Sequence, residues 1–488
     1  MNPRDLTDRD LAHIFDGFGF KTPPRRHQLQ TLAWGVDLRR AALWHGIGTG
    51  KSLTALYLHH YIWGTQRHLV VCPNSVVDSW LEQIVLHTDL TAVALRGTRE
   101  ERRALLAESP ADVLVVNYEG LLTLFAERKE SRDGEGRKRV RHRVSAELCR
   151  AAGVDGLTAD ECLALANPWS LQSRIFYELS SRARHVAIMT GTPLSTGEDD
   201  LWGQYRALDG GRTLGKSQKA FREAHFKQDF FGGWGIRPGQ RDEILRRVAP
   251  VTLRYSREEC VDLPPRAYEV RHADMSAEQR RLYDEIAGGH GFHLDGVAYP
   301  AVEPGQAANK LSQVAGGFVL VGDRAVRLAE NPKLDLLEEL AREAGDEKMI
   351  VFHSYIEEGR QVEERLTAMG VGYAALRGEV KDKAGEVRRF REDPDCRVLV
   401  AHPRSGGIGL NLQVATVAAF FSNGLYGAAV RDQAEGRIYR AGQDRPVLFV
   451  DLELAGSLDE KHLHRIGRQA DVLAAALDFV RDWGRTGR

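Results

Sequence analysis

AALWHGIGTGKSLTALYL, Ala41 to Leu58, runs from an apolar lead-in through a glycine-rich turn into a helix-forming stretch. Its reading decides the fold, because strand, turn and helix in that order make a phosphate cradle. Gly46, Gly48 and Gly50 permit tight turns and close backbone approach, so successive N–H groups can point at phosphate oxygens where the helix begins. In this reading Gly48, Thr49 and Gly50 line the cradle, Lys51 reaches the β and γ phosphates of a nucleotide, and Ser52 holds magnesium. His45 stands where the general GxxxxGK[ST] pattern has its first glycine.

The same alternation of short apolar runs and helical patterns continues outward. HLVVCP (His68 to Pro73) leads into a WLEQI helix pattern, and DVLVVNYE (Asp112 to Glu119) follows; KMIVFHS (Lys348 to Ser354), CRVLVAH (Cys396 to His402) and VAAFFSN (Val417 to Asn423) repeat it later. Such runs predict parallel strands joined by crossover helices, an α/β fold. A chain of 488 residues exceeds what one core holds, about 250 to 300 residues, so two α/β lobes are expected, 1–250 and 251–488. The paired prolines Pro264 and Pro265 in VDLPPRAYEV, Val261 to Val270, suit an extended crossing between them. Charged, helix-prone stretches at Lys216 to Arg247 and Ser276 to Ile286 read as helical insertions. The segment from Arg128 to Arg143, crowded with Lys and Arg around two glycines, reads as a loop, either a solvated excursion or a phosphate-contacting one.

Composition narrows the class. With 43% hydrophobic and 28% charged residues, and no uninterrupted apolar stretch of about 18 residues, no membrane role is expected. The amino terminus lacks the basic head and apolar stretch of a secretion signal, so a cytoplasmic protein is expected. Five scattered cysteines form no CxxC pair and give neither a zinc site nor a disulfide framework. A net charge of -1 means that any nucleic-acid binding must come from a local basic surface.

A phosphate cradle needs an acidic partner to organise magnesium and the attacking water. Asp160 and Glu161 in LTADECLALANP are the candidates, the first for the metal and the second to orient or deprotonate the water. The preceding VDGLTA is poorer in apolar side chains than a buried parallel strand usually is. On spacing alone a lesser reading has the pair cap a helix.

The order and spacing of motifs along nearly the whole chain resemble the Swi/Snf-type DNA-dependent ATPases of helicase superfamily 2, in a small bacterial or phage-like form. RRHQLQTLAWGV (Arg25 to Val36) is similar to the glutamine motif, in which Gln28 pairs with the adenine edge. The short GxGK[ST] form of the phosphate loop suits helicase-like proteins. VVCPNSVVDSWLEQ (Val70 to Gln83) resembles motif Ia, and DECL (Asp160 to Leu163) stands where DEAH or DECH does, with Leu163 replacing the histidine. MTGTPLSTGEDDLWGQYRALD (Met189 to Asp209) resembles motif III, where Thr190 and Thr192 link the metal site to lobe closure. LRYSREECVDLPPR (Leu253 to Arg266) is similar to the bridge between lobes.

In the second lobe KMIVFHSY resembles motif IV, HPRSGGIGLNLQVA (His402 to Ala415) motif V, and QAEGRIYRAGQ (Gln433 to Gln443) motif VI. The resemblance implies two RecA-like lobes with helical insertions, ATP and Mg2+ as cofactors, and Arg437 and Arg440 as arginine fingers; the spacing from Gln433 places them on one helical face. Gly407 and Gly409 would approach the phosphates. Nucleic-acid contacts are implied at Asn74, Ser75, Trp80, Thr190, His353, Ser354, Ser405 and Gly406.

The resemblance therefore implies an ATP-dependent translocase on double-stranded DNA, indifferent to sequence. A strand-separating DNA or RNA helicase shares most of these motifs. A nucleotide-gated binding module with weak hydrolysis is the reading that Leu163 motivates.

Overall fold

The computed structural model describes residues 3–132, 138–195, 197–228, 234–294, 296–380, 382–404, 412–423 and 427–486. It divides into two compact units, Met1–Val261 with Asp471–Arg488, and Asp262–Ala470.

In the first unit the strands β1 (Arg40–Leu43), β2 (His68–Cys72), β3 (Ala92–Ala94), β4 (Val113–Asn117), β5 (Gly156–Asp160), β6 (His185–Met189) and β7 (Thr252–Leu253) form one sheet. Their order is β7-β1-β6-β5-β2-β4-β3, and every pairing is parallel. Side chains alternate between two cores: Leu69 and Val71 of β2 enter one, Val70 and Cys72 the other. Both faces are covered, which is why these strands read as continuous apolar runs. Helices that position the site are α1 (Arg26–Gly35), α2 (Lys51–Tyr57), α3 (Val77–His87), α4 (Leu171–Ser180), α5 (Asp200–Asp209) and α6 (Gln218–His225).

The second unit repeats the plan. β8 (Arg266–Ala273), β9 (Lys348–Phe352), β10 (Gly372–Leu376), β11 (Cys396–Ala401), β12 (Ala415–Phe420) and β13 (Val447–Leu454) pair in parallel in the order β8-β13-β12-β9-β11-β10. Ile350 and Phe352 enter one core, Met349 and Val351 the other. A third core joins Leu282, Ile286, Val314, Val319 and Val326, drawn from the helices Ala277–Ala287 and Pro304–Ala315 and a hairpin. The fold is thus α/β, with two parallel-sheet lobes and added helices.

Three expectations change. Residues 251–261, read with the second lobe, group with the first, because Thr252 and Leu253 pair with Ala42 and Leu43. The end of the chain does so too: Leu473, Ala476, Leu477 and Val480, on the last helix α8 (Leu458–Thr486), join the first unit's core. The basic segment 128–143 is no simple loop. Ala126–Arg132 and Lys138–Val144 form an antiparallel hairpin, and residues 133–137 lie outside those described.

β5 is a buried strand despite its composition. Thr158 Oγ1 sits between the imidazoles of His68, at 2.8 Å, and His59, at 3.1 Å, so its hydroxyl is satisfied inside the sheet. Gly156 leaves no room for a Cβ, which would stand 2.3 Å from Thr65 Cγ2. Among the described residues no helix is long and apolar enough to cross a membrane.

Candidate nucleotide site

Three stretches meet at the carboxyl edge of the first sheet, where ligands bind in open parallel sheets. The phosphate loop follows β1, the acid pair ends β5, and TGTP follows β6.

Gly48 and Gly50 take φ of 80° and 86°, the left-handed region that glycine enters without a Cβ penalty. Gly50 caps the start of α2. Thr49 is fully buried, and its hydroxyl donates to the Gly46 carbonyl at 2.8 Å. The Lys51 ammonium donates to the carbonyls of His45 at 3.0 Å and Gly46 at 3.2 Å. The Ser52 side chain is half-buried at the first turn of α2.

The loop is held from two sides. From α1, His27 Nε2 donates to the Thr49 carbonyl at 2.8 Å, and Gln28 Nε2 to the Gly50 carbonyl at 3.2 Å. Gln28 Oε1 accepts the Arg25 N–H at 2.7 Å. From the segment after β7, the Tyr255 carbonyl accepts the Gly46 N–H at 2.8 Å, and Arg257 Nε donates to the Ile47 carbonyl at 3.1 Å. A Cβ on Gly46 would stand 2.8 Å from the Arg257 backbone nitrogen, so this clamp requires glycine there. His45 packs edge-on against Tyr255 and gives Nε2–H to Thr31 at 3.2 Å, since that hydroxyl's own proton goes to the His27 carbonyl. Complete burial holds His45 well below the usual imidazole range, hence neutral.

Asp160 ends β5, and its carboxylate is fixed at both oxygens. Trp80 Nε1 donates to Oδ2 and the Glu161 N–H to Oδ1, each at 2.9 Å, while the Tyr118 hydroxyl donates to the Asp160 carbonyl at 2.8 Å. Burial pushes the carboxyl up from its ordinary range, opposed first by the Lys51 charge and then by the Trp80 bond. Glu161 has φ of 50°, the one non-glycine at positive φ among the described residues. Thr190 Oγ1 donates to Glu161 Oε2 at 3.3 Å and accepts the Thr192 N–H at 3.0 Å. The pair therefore does not act as a side-chain helix cap. Around Leu163 a second tie joins the acid segment to TGTP: Cys162 Sγ donates to Gln204 Oε1 at 3.1 Å, and Gln204 Nε2 to the Pro193 carbonyl at 2.7 Å.

Several expected surface contacts lie inside the protein. Trp80 and Thr190 are 2% and 0% exposed and serve the acid pair, whereas Asn74 is exposed and Ser75 half-buried. The α3 spacing Val77, Trp80, Ile84 marks one inward helical face, the signal that could have placed Trp80 correctly. In the second unit His353 and Ser354 are also buried. His353 Nδ1 donates to the Tyr355 carbonyl at 2.8 Å, and the Ser354 N–H donates to Glu358 Oε2 at 2.9 Å. Ser405, Gly406, Gly407 and Gly409 lie outside the described residues.

Arg437 and Arg440 do not share a helical face. The helix α7 (Ala428–Glu435) stops at Glu435, capped at Gly436; Arg437 lies in the turn that follows and Arg440 beyond it. Arg437 Nη1 donates to the Pro403 carbonyl at 2.7 Å, and burial pulls the guanidinium down to about 10, still charged at neutral pH. Motif VI is anchored by Arg431, which sequence reading passed over. Its guanidinium pairs with Asp451 at 2.6 and 3.0 Å and with Glu435 at 2.6 Å, and lies 3.3 Å from the Phe420 ring centre.

The chain matches the SNF2-related domain over residues 27–317 and the helicase conserved C-terminal domain over residues 332–442. It is 25% identical over 474 residues to protein p41 of Acyrthosiphon pisum secondary endosymbiont phage 1, covering 91% of this chain and 95% of that protein. To YwqA of Bacillus subtilis (strain 168), a protein assigned as an ATP-dependent helicase/translocase, it is 26% identical over 464 residues, covering 91% of this chain and 47% of YwqA. The chain thus spans about half the length of that relative. Among solved structures it is similar to the Sulfolobus solfataricus SWI2/SNF2 ATPase core in complex with dsDNA, at 19% identity and a TM-score of 0.42, covering 96% of both chains. With the SNF2-related match taking in residues 27–317 of 488, the chain belongs to the SNF2-related family, the Swi/Snf-type ATPases of helicase superfamily 2.

Proposed function

We propose that the chain is an ATP-dependent translocase on double-stranded DNA, which converts hydrolysis into movement along the duplex without separating the strands. The observation that carries its ATP-hydrolysing part is the Asp160–Glu161 pair at the end of a buried parallel strand, held by Trp80 and Thr190 and near the charge of Lys51; the duplex substrate rests on the family.

The residues fit a magnesium nucleotide. Gly48 and Gly50 open the loop backbone, the Ser52 hydroxyl makes no hydrogen bond among the described residues, and Asp160 brings a buried carboxylate. Ser52 and Asp160 would hold Mg2+, which when bound offsets charge on the phosphate oxygens. Gln28 takes the adenine edge and Lys51 the β and γ phosphates. Glu161 orients water and accepts its proton. Arg437 and Arg440 bring positive charge to the transferring phosphoryl group, a role that contributes about 10³ to 10⁵ in rate; Gly407 and Gly409 complete the phosphate contacts.

On the nucleic-acid side, Asn74, Ser75, Ser405 and Gly406 contact backbone phosphates. Binding is then indifferent to sequence and weakens with salt, with a log–log slope of about -0.9 per phosphate neutralised. On this reading the protein works in the cytoplasm, and the name of YwqA supports coupling to translocation.

The deciding experiment is ATP turnover with duplex DNA, single-stranded DNA and RNA. Stimulation by duplex is expected. Stimulation by single strands alone would replace the reading with a strand-separating helicase, and no stimulation by any of them with a nucleotide-gated binding module.

A further inference from the structure

Within the first unit, a pocket of about 570 Å³ opens between α4, α5 and the start of α6, and shares no residue with the phosphate loop. That volume is in the range of small-molecule sites. Its walls are aromatic. Trp169 is 73% exposed, unusual for so large an apolar ring, and it is held in place: Nε1 donates to Gln218 Oε1 at 2.9 Å and the backbone N–H to Asn167 Oδ1 at 3.0 Å. Tyr177 and Trp202 complete the walls, and Arg206 lies 4.3 Å from the Tyr177 ring centre and 6.0 Å from that of Trp202.

The rim is cationic. Arg174, Lys216 and Lys219 join Arg206 around the opening, and among the described residues none that lines it is acidic. Lys219 has a loose ion pair with Glu223 at 3.8 Å; Arg174 and Lys216 form none among the described residues. Trp202 is 4% exposed and presents a buried ring to the pocket wall. A rigid exposed indole, further rings and four cations call for an occupant that is flat and anionic.

We propose that this pocket binds a nucleoside monophosphate unit, its base stacked on Trp169 and its phosphate met by Arg174 and Lys216. The unit is either a free nucleotide or an unpaired nucleotide of a strand; the chemistry is the same. Stacking of a base on an indole is tolerant of base identity, and guanidinium and ammonium groups take the phosphate. The site goes beyond the reading of the chain as a motor and stands whether or not that reading does.

The test uses the full chain with the phosphate loop saturated by ADP and magnesium. Probes are thymidine monophosphate, an eight-residue oligothymidylate, a blunt duplex, the same duplex with one unpaired terminal thymidine, and an acidic peptide containing phenylalanine, each followed by tryptophan fluorescence and anisotropy. Thymidine monophosphate or the unpaired thymidine is expected to bind and quench, and Trp169→Ala and Lys216→Glu, both at exposed side chains, to weaken that binding about tenfold. Binding of the free nucleotide assigns a small-molecule site; binding of the strand forms alone assigns an unpaired nucleotide. Absence of binding by all nucleotide probes, binding indifferent to both pocket substitutions, or tighter binding of the peptide than of any nucleotide overturns the proposal. A Trp169→Phe variant, which keeps a stacking ring, is expected to restore most of the affinity lost in Trp169→Ala.

Discussion

The indole N–H of Trp80 donates to Oδ2 of Asp160 across 2.9 Å, inside the first unit's sheet edge. A buried carboxylate with one oxygen so held is oriented before any metal or nucleotide arrives.

Trp80→Phe keeps the ring and removes the donor. A hydrogen bond to a charged group contributes about 1.5 to 3 kcal/mol, so kcat for ATP is expected to fall roughly tenfold with circular dichroism unchanged. Steady-state ATPase assays measure this. Normal kcat with weakened DNA binding would instead return Trp80 to a nucleic-acid surface.

Glu161, proposed to orient the attacking water, holds a conformation that suits glycine. Glu161→Gln and Glu161→Gly are both expected to abolish turnover. Only the second relieves the left-handed backbone, a strain of about 1 to 3 kcal/mol, partly offset by the greater freedom of glycine in the unfolded chain. Thermal denaturation should therefore find Glu161→Gly at least as stable as the parent protein, and a large drop in Tm would show that the carboxylate also stabilises the fold.

Arg431 is expected to be the costliest single residue to remove from the second unit. Its guanidinium is paired with two buried carboxylates, Asp451 and Glu435. Removing one partner of a buried pair costs about 3 to 5 kcal/mol, so Arg431→Met should lower the urea midpoint sharply. A change within about 0.5 kcal/mol would mean that water reaches the network.

Mild acid should destabilise the protein through its buried imidazoles. Burial brings His353 from 6.5 down to about 4, and His60 likewise. Each is neutral when folded, so as pH falls below 6.5 the unfolded chain takes up the proton first. The stabilising contribution is complete above pH 6.5 and is lost on the way down toward pH 4, at about 1.4 kcal/mol per pH unit for each histidine. Urea unfolding at pH 7.5 and 5.0 should differ by about 2 kcal/mol per such group, and His353→Gln should shrink the difference in the second unit's transition.

The phosphate loop and the acid pair were legible because each needs residue types in a fixed local order, and local order is what a sequence displays. β5 was harder. GLTAD looks too polar for a buried strand until His59 and His68 are seen to satisfy Thr158 from other elements, and glycine at 156 reads as a breaker until the closeness of Thr65 is known. Trp80 was misread because its motif was associated with a nucleic-acid track while its α3 spacing marked the inward face. The helical face expected for Arg437 and Arg440 failed at one residue, since the helix ends at Glu435 and Gly436 turns the chain.

The two bonds made by Gln28 give its side chain a polarity. Oε1 is committed to the Arg25 N–H and Nε2 to the Gly50 carbonyl; turning the amide over would set oxygen against oxygen at Gly50. One lone pair and one proton remain, in a fixed arrangement. That arrangement complements the donor and acceptor of adenine N6 and N7, but it sets an acceptor against guanine O6. With Gln28 at the adenine edge, as proposed, discrimination between purines would rest on a side chain held against flipping by the phosphate loop at Gly50 and by the Arg25 N–H at the start of its own helix.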